Sequence, residues 1–115
     1  MSRFKKHFLP EEEKDPFLEA IVQGVLDHHQ EIDRLIERYS ENWSLERIAS
    51  IDRTILRIAI FELLYREDIP PKVALNEAVD LGKRFGSENS GGFINGILDR
   101  ILREVVKRPL DPASM

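Results

Sequence analysis

Apolar residues dominate one stretch of the chain, Ile51 to Tyr65, and this stretch predicts a buried central helix. It reads IDRTILRIAIFELLY, and its apolar positions leave almost no polar face. A helix with that pattern must be surrounded by other helices. Its length and its lack of strict alternation exclude a β-strand. Asp52 is well placed as its N-cap, and Pro70 and Pro71 lie beyond its end, where they cannot continue it.

A second periodic segment predicts one long helix that begins at Pro16 and runs to about Glu41. Asp15 is its predicted N-cap, and Pro16 occupies the first helical position, where a missing amide hydrogen costs nothing. Its apolar positions recur with helical spacing. They are Phe17, Leu18, Ile21, Val22, Val25, Leu26, Ile32, Leu35, Ile36 and Tyr39.

The segment Asn42 to Ser50 predicts a turn and a short helix, with Ser44 as the N-cap. Because the central helix follows almost at once, the two helices must form a corner. We interpret Trp43 as a core or hinge residue rather than as a stacking platform for a base. The residues predicted to reach inward are Trp43, Leu45 and Ile48.

Two further helices complete the predicted core. One begins at Pro71 and ends near Phe85, and Gly86 after it is suited to a left-handed C-cap. In the following SENSGG connection, Asn89 or Ser90 can cap the last helix, which ends before Pro109. The predicted core positions are Ala74, Ala78, Leu81 and Phe85 in the first helix, and Ile94, Ile97, Leu98, Ile101, Leu102 and Val105 in the second.

Together these segments predict an all-α fold, a single-domain bundle of about five helices around the central buried helix. We expect a mobile N-terminal segment over 1–14, a helical domain over 15–108 and a disordered tail over 109–115. No apolar run is long enough to span a bilayer, and no signal peptide is recognisable. The chain has no cysteine, which excludes disulfides and thiolate metal sites. By elimination we expect a cytoplasmic protein.

Charge is distributed in blocks, although the net charge of −4 argues against a general polyanion binder. Residues 1–10 carry Arg3, Lys5 and Lys6 without an acid, residues 11–50 are strongly acidic, and residues 83–108 are basic again. Two interpretations remain open at this point. The blocks are either solvated helix faces or the electrostatic footprint of a partner.

The sequence predicts a binding module rather than an enzyme. Its carboxylates lie at solvated helix positions or caps, without the apolar pocket that would raise a pKa for acid-base work. His28 and His29 point about 100 degrees apart on a helix, so they are a poor pair of metal ligands. We therefore expect no catalytic residues, no metal and no cofactor.

Several motifs resemble the C-terminal half of the NusB family of bacterial transcription antitermination factors. They are LRIAIFELLYREDIPPKVALNEAVDLGKRFG, FINGILD and the NWS that precedes them. The resemblance covers about Phe17 to Val105. It implies an all-helical fold and binding of boxA RNA together with NusE, the small-subunit ribosomal protein that doubles as an antitermination factor. It also implies an antitermination complex with RNA polymerase that supports processive transcription of ribosomal RNA.

The resemblance also implies particular contact residues. RNA is expected at Asn89, Ser90 and Phe93, where a base stacks on the ring while polar groups contact its edge. The partner protein is expected at Asp52. Each residue keeps a structural alternative: Phe93 as a core residue, Asn89 and Ser90 as helix caps, and Asp52 as a helix cap.

The N-terminal region departs from the family pattern, because SRFKKHF does not reproduce the arginine-rich helix expected there. Arg3, Lys5 and Lys6 are a partial substitute with different spacing. We therefore expect weakened RNA affinity and exposed apolar surface that favours a homodimer. The alternative function is a protein-interaction or dimerisation module that has lost RNA binding. A detached module of the kind fused to ribosomal RNA methyltransferases is a third interpretation.

Overall fold

The computed structural model describes residues 15–41 and 43–106, and within these ranges all of its regular secondary structure is helical. The all-α prediction is confirmed. Arg3, Lys5 and Lys6, together with the predicted mobile segment and tail, lie outside the described residues. The α-helices are α1 (Pro16–Asp27), α2 (His29–Tyr39), α3 (Ser50–Tyr65), α4 (Pro71–Phe85) and α5 (Ser90–Ile101). A 3₁₀ helix, Leu45–Arg47, precedes α3, and a π-helical segment, Leu102–Val106, extends α5.

Helix α3 lies at the centre of the bundle, as its apolar sequence predicts. It packs against α1, α2, α4 and α5. Leu56, Ile60 and Leu63 are completely buried in it, and burying an aliphatic side chain of this size stabilises a fold by roughly 1.5–3 kcal/mol. Helices α4 and α5 pack closely, since a Cβ atom at Gly82 of α4 would overlap the side chain of Ile94 in α5. The start of α3 and the start of α5 are therefore positioned by one continuous core.

The predicted long N-terminal helix is wrong, since it breaks at His28 into α1 and α2. Asp15 does cap α1, and its Oδ1 accepts a hydrogen bond from the amide of Phe17 at 2.9 Å. At the break, the His28 ring stacks on the ring of Tyr65 in α3, with 4.0 Å between centroids. Its backbone (φ −115°, ψ 16°) leaves helical geometry for one residue. The bend allows α1 and α2 each to pack against α3.

Two predicted cap roles, those of Asp52 and Gly86, are also wrong. Helix α3 begins at Ser50, so Ala49 is its N-cap and Asp52 lies inside the first turn. Ser44 is the N-cap of the 3₁₀ helix, as predicted, although its side chain makes no capping hydrogen bond. Gly86 is extended (φ −97°, ψ −160°) rather than left-handed. Glycine is needed there for space, because a Cβ atom would overlap the side chain of Ser90.

The predicted apolar stripes are buried only in part. In α5 the predicted face is buried from Ile94 to Leu102, with Val105 partly buried. In α4, Leu81 and Phe85 are exposed, contrary to prediction, because they line an open groove beside the start of α3. Most of the predicted stripe of α1 is exposed as well. Its exposed members are Phe17, Leu18, Val22 and Leu26.

Candidate functional site

A cavity of about 280 Å³ lies where the start of α3 meets the start of α5. The turn before α3 forms one side, and the connection between α4 and α5 forms the other. The cavity brings together Asp52, Asn89 and Phe93, three of the residues that the sequence singles out. Its lining residues are Trp43, Arg47, Ile48, Ala49, Asp52, Ser87, Asn89 and Phe93.

Two aromatic side chains line this cavity. Phe93 is partly buried and packs against the hydrophobic core, so its core role and its position at the cavity coexist. Trp43 is 52% exposed, and the prediction that it reaches into the core is wrong. Its backbone carbonyl accepts a hydrogen bond from the buried Ser40 hydroxyl at 2.9 Å, which anchors the turn. The indole therefore lies at the surface on a fixed backbone.

The two polar residues at the start of α5 have different positions. Ser90 is buried, and its Oγ accepts a hydrogen bond from the Ser87 amide at 2.9 Å, so it stabilises the connection from within. It does not line the cavity. Asn89 is exposed, lines the cavity and makes no capping bond with its side chain, although it occupies the N-cap position. Asn89 is thus the amide that a ligand in the cavity can reach.

Asp52 is the acidic residue of the cavity. Its side chain belongs to a residue only 7% exposed, and its Oδ1 has no hydrogen-bond partner in the part of the chain that the structure describes. The positive end of α3 favours a carboxylate there by about 0.3–1 kcal/mol. An unsatisfied buried acceptor costs about 1–3 kcal/mol. Oδ1 is therefore an unsatisfied acceptor that lies beneath the surface of the cavity.

One arginine lines the cavity, and a second holds the turn before α3. Arg47 is exposed and lines the cavity. Arg53 donates a hydrogen bond from Nη1 to the carbonyl of Leu45 at 3.0 Å, which ties the 3₁₀ helix to α3. The site therefore combines two aromatic surfaces, an amide, a carboxylate and a guanidinium. Sequence reasoning missed Trp43 and Arg47, although a tryptophan flanked by polar residues in the NWS turn is a signal for exposure.

A second, apolar groove of about 320 Å³ lies between the start of α3 and the end of α4. Ile51, Leu81 and Phe85 are its exposed apolar residues. The guanidinium of Arg84 lies 5.3 Å from the centre of the Phe85 ring. The remaining lining residues are Ser50, Thr54 and Ile55. Since Ile51 and Asp52 are neighbours, the groove and the cavity share the first turn of α3.

Two titratable residues of α3 have pKa values that their surroundings raise. The Tyr65 hydroxyl donates a hydrogen bond to Glu31, and this bond, with partial burial, raises the pKa of Tyr65 to about 12. Burial raises the pKa of Glu62, and the nearby Glu77 raises it further.

Among residues 15–41 and 43–106, no group of three or more His, Asp or Glu is arranged to hold a metal ion. No helix in those ranges is both long enough and apolar enough to cross a membrane.

Comparison with curated proteins reveals close relatives. The chain is 59% identical over 85 residues to the transcription antitermination protein NusB of Myxococcus xanthus, a match covering 74% of this chain and 61% of that protein. It is 47% identical over 100 residues to the protein of the same name from Bacillus subtilis, covering 87% and 76% of the two chains. The chain thus spans about three fifths of the length of the Myxococcus relative.

Solved structures show the same fold. T. maritima NusB superposes with a TM-score of 0.71 at 49% sequence identity, covering 74% of this chain and 60% of that one. A chain in a crystal structure described as a plectonemic RNA supercoil superposes with a TM-score of 0.72 at 30% identity, covering 79% and 66%. The model of the NusB family matches residues 3–103. The chain belongs to the NusB family.

Proposed function

We propose that this chain is a non-enzymatic transcription antitermination factor of the cytoplasm that binds boxA-type RNA together with a ribosomal protein of the NusE type. Relatives at 47–59% identity carry the antitermination name. The observation that carries the proposal is the cavity between α3 and α5, where Asn89, Phe93 and Asp52 meet an exposed tryptophan. Exposed aromatic rings beside polar groups are suited to unstacked RNA bases.

In this proposal each residue of the cavity has a distinct role. Phe93, held by the core on one side, offers its ring for base stacking. Asn89 contacts a base edge, since its amide both donates and accepts hydrogen bonds. Arg47 neutralises a backbone phosphate. Ser90 supports the start of α5 from inside. Arg3, Lys5 and Lys6 remain proposed phosphate contacts outside the described residues.

The protein partner is proposed to bind along the first turn of α3. Asp52 is the contact that the family resemblance implies, and the adjacent apolar groove at Ile51, Leu81 and Phe85 extends the surface. Exposed aliphatic and aromatic residues beside polar ones are typical of protein interfaces. By binding both the RNA and the partner protein, the factor would join the antitermination complex with RNA polymerase.

Binding of a boxA-type RNA, measured with and without NusE across a salt series, tests this proposal. We expect binding that NusE tightens and that weakens with salt. For single-stranded RNA the slope of log affinity against log salt is about −0.7 per phosphate contact, so few contacts give a shallow slope. No RNA binding at low salt, alone or with NusE, would overturn the proposal.

The exposed face of α1 favours a second candidate function, a protein-interaction or dimerisation module. Leu18, Val22 and Leu26 recur every four residues, so they form one apolar stripe along the helix. Val22→Lys places a charge in the middle of that stripe. In this alternative the parent chain sediments as a dimer at micromolar concentration and V22K as a monomer. A parent chain that is monomeric throughout that range removes the dimerisation candidate.

A further inference from the structure

We propose that Glu37 of α2 and Arg53 of α3 are positioning residues for RNA binding, because together they hold the turn that carries Trp43 and Arg47. This turn, residues 43–49, forms one side of the cavity. The inference rests on the proposed RNA-binding function and deepens it, since it names what keeps this side of the cavity in place. Neither positioning residue lines the cavity itself.

The turn has little regular structure of its own. Its only helical part is the 3₁₀ helix Leu45–Arg47, which has three residues and no capping bond from the Ser44 side chain. Hydrogen-bond geometry in a 3₁₀ helix is poorer than in an α-helix. The buried Ile48 anchors the end of the turn in the core, but Trp43 at its start is half exposed. Bonds from the neighbouring helices must therefore hold the start of the turn.

Leu45 is the point at which both neighbouring helices hold the turn. Its amide donates a hydrogen bond to Oε2 of Glu37 at 3.2 Å, and its carbonyl accepts one from Nη1 of Arg53 at 3.0 Å. We call these two bonds the Leu45 clamp. Each bond includes one charged group, which makes it stronger than a bond between neutral groups. Since Trp43 lies two residues before Leu45 and Arg47 two residues after it, the clamp restricts both side chains.

The end of α2 is a firm support for the clamp, because α5 holds it as well. Arg100 of α5 donates hydrogen bonds to the carbonyl of Tyr39 and, at 3.0 Å, to the carboxylate of Glu41. Helix α5 also carries Phe93, which lines the cavity opposite the turn. The clamp therefore links the two sides of the cavity through the end of α2.

The charge of Glu37 is unfavourable at its position, which indicates that the bond is its role. Glu37 lies in the last turn of α2, where the negative end of the helix dipole disfavours an acid. A carboxylate near a surface that binds phosphates also opposes RNA binding. Charge alone therefore predicts that removing Glu37 strengthens RNA binding, whereas the clamp predicts that removing it weakens binding.

The test compares the affinity of Glu37→Ala and Glu37→Gln for a boxA-type RNA at one salt concentration. Both variants lose the same charge, but only glutamine keeps an oxygen that can accept a bond from the Leu45 amide. We expect E37A to bind about fivefold more weakly than E37Q, as for the loss of one hydrogen bond. E37Q should bind at least as tightly as the parent chain.

A second measurement follows the turn without RNA. Trp43 is the only tryptophan of the chain, so its fluorescence anisotropy reports on motion of the turn. The anisotropy should fall in E37A and keep its parent value in E37Q. In α3, Arg53→Met removes the other bond of the clamp and should lower the anisotropy as well, whereas Arg53→Lys keeps a donor and should restore it.

Glu46→Ala is the matched control, because it removes an exposed acid from the turn and leaves both bonds to Leu45 in place. It should bind RNA at least as tightly as the parent chain, with circular dichroism confirming that every variant folds. Equal RNA affinity of E37A and E37Q, or an unchanged Trp43 anisotropy in E37A, overturns the positioning role. If the parent chain binds boxA-type RNA in that case, the proposed function stands. A parent chain that binds no RNA overturns both.

Discussion

Asp52, in the first turn of α3, and Phe93, in the first turn of α5, line the same cavity. The sequence assigns them to different partners, a protein for Asp52 and RNA for Phe93. In the proposed function, their common position would place the RNA and the protein partner next to each other at the corner formed by the helix starts.

The burial of Asp52 without a partner leads to a prediction about stability. A capping aspartate replaced by alanine costs about 1 kcal/mol. For Asp52 the gain from the helix dipole is offset by the cost of an unpaired buried acceptor. We therefore expect Asp52→Ala to leave the free energy of unfolding in urea unchanged or higher. A loss of 1 kcal/mol or more, on the order of a lost cap, would contradict this account of the site.

The close approach of α1 to α3 predicts that Gly24→Ala destabilises the fold. A Cβ atom at Gly24 would overlap the buried ring of Phe61. We expect a cost of roughly 1–3 kcal/mol, typical of overpacking, measured by thermal or urea unfolding. Gly96→Ala is the matched control, since no atom lies within 4 Å of its added Cβ in α5. It should stabilise the protein by about 0.4–1 kcal/mol.

The ion pair between Arg57 and Asp33 links α3 to α2. Arg57 donates from Nε and Nη2 to the two carboxylate oxygens at 2.8 and 3.0 Å. Lysine cannot reproduce this fork, so Arg57→Lys should cost on the order of 1–2 kcal/mol of unfolding free energy. The exposed ion pair between Arg103 and Asp99 is the control. Arg103→Lys should change the free energy of unfolding by less than about 0.5 kcal/mol. Equal effects of the two substitutions would contradict the prediction.

The hydrogen bond from Tyr65 to Glu31 predicts a pH dependence of stability in alkaline solution. The bond raises the pKa of Tyr65 from 10.0 to about 12 in the folded state. The unfolded chain then loses the tyrosine proton first, so the contribution is complete below pH 10 and declines as pH rises towards 12. Unfolding measured at intervals across this range should show a steeper decline for the parent chain than for Tyr65→Phe. Parallel curves would show that the bond does not persist in solution.

The elements that sequence reasoning predicted are those specified by local patterns. Helices α3, α4 and α5 follow from their own apolar spacing, and Asp15 caps α1 through a bond to a residue two positions away. The break at His28 could not be predicted in this way, because its ring stacks on Tyr65 from a distant part of the chain.

The candidate site was predictable only in fragments. The family resemblance indicated Asn89, Phe93 and Asp52 separately, but their meeting in one cavity depends on how α3 and α5 pack. Periodicity could not indicate which way Trp43 points, because a turn residue has no repeating neighbours to define a face. Its large apolar side chain favoured the core, whereas the packing leaves it at the surface beside Phe93.

The most direct test of the central claim compares the RNA affinity of Phe93→Ala and Phe85→Ala with that of the parent chain at one salt concentration. Each variant loses one ring, at the cavity in F93A and at the exposed end of α4 in F85A. We expect F93A to weaken binding of boxA-type RNA by about 1–3 kcal/mol, the contribution of one stacked base, while F85A binds like the parent. Equal affinity of folded F93A and the parent would contradict the assignment of this cavity to RNA.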